Sequence, residues 1–363
     1  MIEFSYMKKA ARFILSLLFV GSMTISTYGY SQNYFPILQY HHVGEKTPFS
    51  TSVTPNQLQE HMDYLDEAGF VVVDLAEALK KIKNSIPLPN KAVAITFDDA
   101  YLDIYKNGFP ILKEKGYPFT IFINTQPISW KSKSFLTWDH MREMQKGKVV
   151  FANHTVSHPY MLRLENEEDR RSWIKRILGE INTVEKLLME ELGSTPKMIA
   201  YPYGESNQEV RDRVTKLGMV GFGQQSGVVS IDSDFSNLPR FPASGHYAGL
   251  SGLKTKLASM PMPLDRIEHK GDLIDDEPAV MTLTFKNGKY RLKELTCYVS
   301  GQAPAKLEWI DEFQVKVMAE QAFKYGRGRI NCTMPSIKNG QFHWFSNVWI
   351  RPKAEQRYIR IKN

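Results

Sequence analysis

Cysteine is scarce in this chain: 363 residues contain only Cys297 and Cys332. Neither belongs to a Cys-x-x-Cys pair, which excludes cysteine-built zinc sites and dithiol redox motifs. Basic blocks are missing too. The net charge of +7 is spread along the chain with no run of five or six consecutive Lys or Arg, so no nucleic-acid partner is expected. That excess leaves open a peripheral association with a membrane or an anionic envelope polymer, beside the plainer reading of a solvated surface. Internal repeats and low-complexity tracts are absent. No apolar run reaches the roughly 20 residues that a transmembrane helix needs. What is abundant is core material: 42% apolar and 12% aromatic residues exclude global disorder.

The amino terminus has the layout of a secretory signal peptide over residues 1–30. Lys8, Lys9 and Arg12 precede the apolar run Phe13-Ile14-Leu15-Ser16-Leu17-Leu18-Phe19-Val20, and small or polar residues follow around Thr27-Tyr28-Gly29. Export to the periplasm or the extracellular space is the expectation, with an uncleaved anchor as the alternative. An oxidising compartment lets Cys297 and Cys332 pair. Two buried, unpaired thiols are the other reading, because sequence does not reveal whether their Cα atoms come within about 7 Å.

Short apolar runs alternate with segments of helical spacing. Tyr34 to Val43 reads as a first strand, and Thr54-Pro55-Asn56-Gln57 is a capping box with proline at the first helical position. Leu58, Met62 and Leu65 then recur on one face before Gly69. Further strands are expected at residues 92–97, 119–123, 149–152, 198–201 and 220–222. Glu167 to Leu192, periodic in Trp173, Ile177, Ile181, Val184 and Leu188, reads as one amphipathic helix. Such alternation predicts a parallel sheet, and closure into a barrel places functional groups at the carboxyl ends of its strands.

Composition shifts near residue 260, where Met260-Pro261-Met262-Pro263 reads as a linker. Beyond it, Ala279 to Phe285, the turn Lys286-Asn287-Gly288-Lys289 and Tyr290-Arg291-Leu292 predict a hairpin. Alternating runs at 313–317 and 342–346, with a turn at Lys338-Asn339-Gly340, make the carboxyl-terminal part a small all-β module. The division is therefore 1–30 signal peptide, 31–262 barrel and 263–363 β module.

The chemistry concentrates at strand ends. Asp98 and Asp99 follow the run Ala92-Val93-Ala94-Ile95-Thr96-Phe97, and His154-Thr155-Val156-Ser157-His158 carries two imidazoles four positions apart. One aspartate plus two histidines make a metal site, and the second aspartate is then a spare base. Asn153 and Tyr203 lie at strand ends of the same kind. An Asp-Asp pair by itself is more often a turn or a helix cap; the histidine pair tips the reading toward function.

Thr96-Phe97-Asp98-Asp99, His154 to His158 and Tyr201-Pro202-Tyr203-Gly204, in that order, resemble the polysaccharide deacetylases of carbohydrate esterase family four. The resemblance covers about residues 35 to 260. It implies a distorted (β/α) barrel, a divalent metal that is usually zinc, and hydrolysis of N-acetyl or O-acetyl groups on glycans. By that resemblance Asp99, His154 and His158 hold the metal, Asp98 is the general base, and the Tyr203 backbone N–H stabilises the oxyanion. The family arginine that commonly precedes the proline-tyrosine pair is replaced by Ala200-Tyr201, which makes Arg240 the candidate to orient Asp98. A late Leu-x-His is also missing before residue 260. His246 is then the candidate general acid, with His41 and His42 competing for a site-lining role.

Thr155 and Ser157 are candidate supports for the imidazoles. Trp130 and Trp138 are read as sugar-stacking or packing residues, with packing favoured for Trp138. In the β module, residues 327–332 and Trp344-Phe345 are read as packing against the barrel, glycan contact being the alternative. The expected function is metal-dependent removal of N-acetyl groups from an N-acetylglucosamine-containing envelope or extracellular polysaccharide. The rivals are an O-acetyl glycan esterase and a non-catalytic glycan-binding protein on the same barrel.

Overall fold

The computed structural model describes residues 32–337 and 340–360. The signal-peptide segment and the Lys338-Asn339 turn lie outside them. Seven strands form the main path of a nine-stranded sheet: β1 (Tyr34–Tyr40), β2 (Ala92–Asp98), β3 (Phe119–Ile123), β4 (Val149–Asn153), β5 (Met198–Ala200), β6 (Val220–Phe222) and β7 (Val228–Ser230), in the order β7-β1-β2-β3-β4-β5-β6, with Val71–Val72 beside β2 and Phe241–Pro242 beside β1. Every neighbouring pair from β1 to β6 is parallel, and β7 pairs with β1 antiparallel.

The edges are joined by an extended segment rather than by direct β6–β7 pairing. Leu238 bridges Phe222 on β6, and Phe241-Pro242 pairs with Leu38-Gln39 on β1. The curled sheet is thereby closed, and Arg240 sits in the middle of the closing segment.

Strand alternation sorts the side chains onto two faces. Val93, Ile95, Phe97, Phe119, Ile121 and Ile123 pack outward against helices, including α1 (Pro55–Glu67). Ala92, Ala94, Phe122, Ala152, Phe222 and Leu238 fill the interior, where the Phe122 and Phe222 rings meet at 5.2 Å. By the same parity Gln39, Thr96 and Asp98 point inward and form a polar layer above that apolar filling.

Local signals explain the helices. In α1 the Thr54 hydroxyl accepts from the Gln57 backbone and the Gln57 side chain accepts from the Thr54 backbone, a closed capping box with Pro55 in the first turn. The long helix α2 (Arg170–Leu192) starts at an Asp169 cap, ends at a left-handed Gly193, and buries Trp173, Ile177, Ile181, Val184 and Leu188.

The carboxyl-terminal part is two four-stranded sheets around one core. Its strands are β8 (Met260–Pro261), β9 (Leu264–His269), β10 (Val280–Phe285), β11 (Thr296–Val299), β12 (Lys306–Trp309), β13 (Gln314–Met318), β14 (Gly326–Pro335) and β15 (Phe342–Arg351). Two local expectations are corrected. Met260-Pro261 is not a free linker, since it pairs in parallel with His343-Trp344 of β15. The expected hairpin across Asn287-Gly288 does not form: β10 pairs with β9 and β13, and Leu292–Glu294 is a 3₁₀ turn. A turn signal dictates a reversal of the chain, but the pairing went to longer strands, Leu264–His269 and Gln314–Met318, the second of which buries Val315 and Val317 in the core. Cys297 and Cys332 stand opposite each other on β11 and β14 and form a disulfide.

Candidate metal centre and active site

Asp98 is the last residue of β2 and Asp99 the first beyond it. The strand's parity turns Asp98 into the barrel, where it is fully buried. Asp99 then takes a left-handed backbone (φ 74°) while its N–H donates to the Phe122 carbonyl, so its carboxylate swings over the strand end. Ala100, Thr155, His158 and Tyr203 are also left-handed. Such conformations are costly for residues with a Cβ and cluster where geometry serves function.

The histidine loop hangs from helix α2. Glu180 accepts from the Val156 and Ser157 backbone N–H groups, both at 2.8 Å, and from the Ser157 hydroxyl at 2.9 Å. Ser157 therefore supports the loop and not an imidazole, and the Thr155 hydroxyl accepts from the His158 N–H. Asn153 faces outward, donating to the Ile181 carbonyl and Glu185 and accepting from the Thr155 N–H; it ties strand, helix and histidine loop together without itself joining the triad.

Three ligand atoms converge. His154 Nε2 lies 3.3 Å and His158 Nε2 3.4 Å from the same Asp99 oxygen, and the three groups' ligand atoms lie within 4.8 Å of one another. His154 Nδ1 is 2.7 Å from the Ala200 carbonyl. Nδ1 must carry the proton there, so Nε2 of the neutral ring is a bare lone pair. That Nε2 is buried without a hydrogen-bond partner and faces a carboxylate. A buried imidazole lone pair facing a carboxylate calls for a cation between them: a proton on Nε2, which Asp99 and Asp98 favour by raising the His154 pKa against burial, or a metal, and one carboxylate with two imidazoles is a donor set suited to a divalent transition metal.

Beside the triad, Asp98 is gripped by Arg240. Nη1 donates to Oδ1 at 2.7 Å and Nη2 to Oδ2 at 2.8 Å, with Gln39 adding a third donor to Oδ2 at 2.8 Å. Arg240 is itself fully buried, anchored by Nε on the Gly223 carbonyl and stacked over Phe122. Burial alone pushes the Asp98 carboxyl up, but the Arg240 guanidinium beside it outweighs burial and holds the pKa well below the ordinary carboxylate range. Burial holds the His158 imidazole below its ordinary value, which leaves it neutral and able to ligate.

Tyr203 follows β5. Its ring stands edge-on to His158 at 4.4 Å and stacks on Tyr160 at 4.2 Å. His41, beyond the end of β1, places Nε2 3.9 Å from Asp98 Oδ2. His246 does not join them: it is exposed on a 3₁₀ turn, its ring against Phe49. Among the described residues it makes no hydrogen bond, ion pair or ring contact with the triad or Asp98, because the turn at 245–247 projects from the closing segment toward the Phe49 loop. His42 is paired with Asp103 at 2.6 Å and stacked on Tyr101. Trp138 is partly buried against the outer core and Trp130 is exposed.

Gln39 and Glu180 were not legible as site residues. Gln39 shares the inward parity of β1, a signal that needs the barrel to be interpreted. Glu180 carried no local signal beyond its place on a helix.

Residues 85–222, which span Asp98, the triad and Tyr203, match the profile of the polysaccharide deacetylases. In this segment the chain is similar to the polysaccharide deacetylases. The chain is 28% identical over 218 residues to the polysaccharide deacetylase YxkH of Bacillus subtilis, covering 60% of this chain and 73% of that protein. It is 26% identical over 245 residues to the poly-β-1,6-N-acetyl-D-glucosamine N-deacetylase of Escherichia coli, covering 57% of this chain but only 36% of that protein. Among solved structures, a de-N-acetylase from Aggregatibacter actinomycetemcomitans superposes with a TM-score of 0.56 at 24% identity, over 61% of this chain and 99% of the other. That likeness shows a shared fold.

Proposed function

We propose that this chain is a metal-dependent hydrolase that removes N-acetyl groups from an N-acetylglucosamine-containing polysaccharide of the envelope or the extracellular space. The observation that carries the reading is the triad Asp99-His154-His158 beside a separate, arginine-clamped carboxylate, Asp98. The poly-N-acetylglucosamine relative supports the substrate class. The amino-terminal signal pattern and the Cys297–Cys332 disulfide support export. The barrel over 31–262 carries the chemistry, and the β module over 263–363 packs against it.

A divalent metal in the triad, zinc being the natural choice for this donor set, supplies Lewis-acid polarisation of the acetyl carbonyl and acidifies water toward a pKa of ~7. Asp98 then has one open position: Oδ2 already takes two donors and Oδ1 only one from Arg240. The free lone pair of Oδ1 is the place where a proton from water is taken. Arg240 holds that oxygen in place, and Gln39 fixes the other. The Tyr203 N–H is the donor for the developing oxyanion. His41, part-buried and next to Asp98, is better placed than His246 to return a proton to the leaving nitrogen.

Acetate release from poly-β-1,6-N-acetylglucosamine, chitin oligomers, peptidoglycan and acetylxylan, with and without chelator, tests the reading. Chelator-sensitive release from an amide-bearing polymer is expected. Release from acetylxylan alone identifies an O-acetyl esterase instead, and no release from any polymer overturns the catalytic reading.

A further inference from the structure

The turn that carries Tyr203 is clamped from outside the barrel. Arg327, at the start of β14 in the carboxyl-terminal module, reaches across with Nη1 to donate to the Tyr203 carbonyl and to the Gln224 side-chain oxygen. Gln224 is pressed against the same turn: a Cβ on Gly204 would come within 2.9 Å of both the Gln224 Cβ and its backbone nitrogen. Gly204 is left-handed (φ 69°), as glycine readily is, but Tyr203 is too (φ 56°), and a residue with a side chain in that region needs outside support. The other supports come from the barrel: the rings of His158 and Tyr160 lie on the Tyr203 ring, and Arg163 stacks on Tyr160 at 3.8 Å. Among the described residues, only Arg327 holds the backbone itself from the module.

We propose that Arg327 is a positioning residue of the deacetylase site, through which the β module fixes the Tyr203 turn and so completes the catalytic geometry. The inference rests on the deacetylase reading for its activity arm. A guanidinium suits the task because it offers several donors in one plane and engages two acceptors at once. Both bonds leave the one nitrogen Nη1; a lysine is one atom shorter and its ammonium rotates freely, so it does not hold that nitrogen against both acceptors. Arg327 is exposed, so it acts through geometry and not as a buried charge.

The test compares full-length Arg327→Ala, Arg327→Lys and, as a control on the same strand face, Arg329→Ala. Hydrogen–deuterium exchange in residues 201–205 needs no substrate; it is expected to quicken in Arg327→Ala and to match wild type in Arg329→Ala. On the substrate identified above, Arg327→Ala is expected to lose about tenfold in kcat, the scale of one hydrogen bond, with KM within about twofold and metal stoichiometry unchanged. Arg327→Lys is expected to recover little of it. Unchanged exchange at 201–205 overturns the inference whether or not a substrate has been found. So do quickened exchange with wild-type kcat, and equal losses in the Arg327 and Arg329 variants, which would mark a general effect of surface charge. Failure of the deacetylase reading shows separately, as absence of acetate release by the wild type.

Discussion

Arg240 and Asp98, 142 residues apart in the chain, form a fully buried two-point ion pair, Nη1 to Oδ1 at 2.7 Å and Nη2 to Oδ2 at 2.8 Å. Both charges lie at the mouth of an otherwise apolar barrel, and each is tolerable only because the other is there. The segment that carries Arg240 also closes the sheet, so barrel closure and placement of the proposed base are one event.

Arg240→Ala leaves the Asp98 carboxylate without its partner. A loss of about 3–5 kcal/mol in unfolding free energy is expected from a buried charge left unpaired, measured by urea denaturation. Deacetylation is expected to fall by a factor on the order of 10²–10⁴, the usual worth of a positioned base. Arg240→Lys should not restore it, since an ammonium cannot bond both oxygens. Metal binding, read as bound metal per chain, should survive in both.

Asp98→Asn and His154→Ala separate the proton from the metal. The first is expected to keep metal stoichiometry near wild type while acetate release falls by a factor on the order of 10²–10⁴. The second should lose both. Retained metal-dependent activity in Asp98→Asn would remove Asp98 from the base role.

Glu180 touches no ligand atom, yet its carboxylate accepts three hydrogen bonds from the 156–157 loop. Glu180→Ala is expected to weaken metal affinity by roughly 10- to 100-fold, the scale seen when groups that orient ligands are removed. Competition with a calibrated chelator measures it. Affinity equal to wild type would show that the His154–His158 loop holds itself.

Glu205 follows the Tyr203 turn, buried to 3% exposure with one oxygen unpartnered. Burial pushes its carboxyl up to about 7, against the pull of Arg327 and Arg163. The folded state thus binds the proton more tightly than the unfolded one, whose pKa is near 4.5. Stability from this group is present below about pH 4.5 and declines as pH rises to about 7. Glu205→Gln is expected to flatten that decline, so that its advantage over wild type in denaturant grows from pH 5 to pH 8. A constant difference across the range would refute the shift.

Much of the fold was legible in local pattern. The capping box at Thr54, the stripe from Trp173 to Leu188 and the apolar runs each act within a few residues, and the structure has them nearly where the pattern puts them. The triad was legible because Asp99, His154 and His158 sit in two compact motifs. Strand pairing was less so: the Asn287-Gly288 turn signal was overruled by β9 and β13 as partners of β10, a competition among distant segments that no local window contains.

By itself the sequence determined the strand and helix pattern, the two motifs that bear the metal ligands, and the family they resemble. Tertiary structure decided which residues keep them company. It brought Arg240 and Gln39 onto Asp98, drew His41 into the site while leaving His246 outside, and joined the two cysteines whose pairing had stayed open. The physical reason is common to all of these. Each depends on how a curled sheet closes and on which strands meet, contacts between segments far apart in the chain whose register is set by burial over the whole barrel or module.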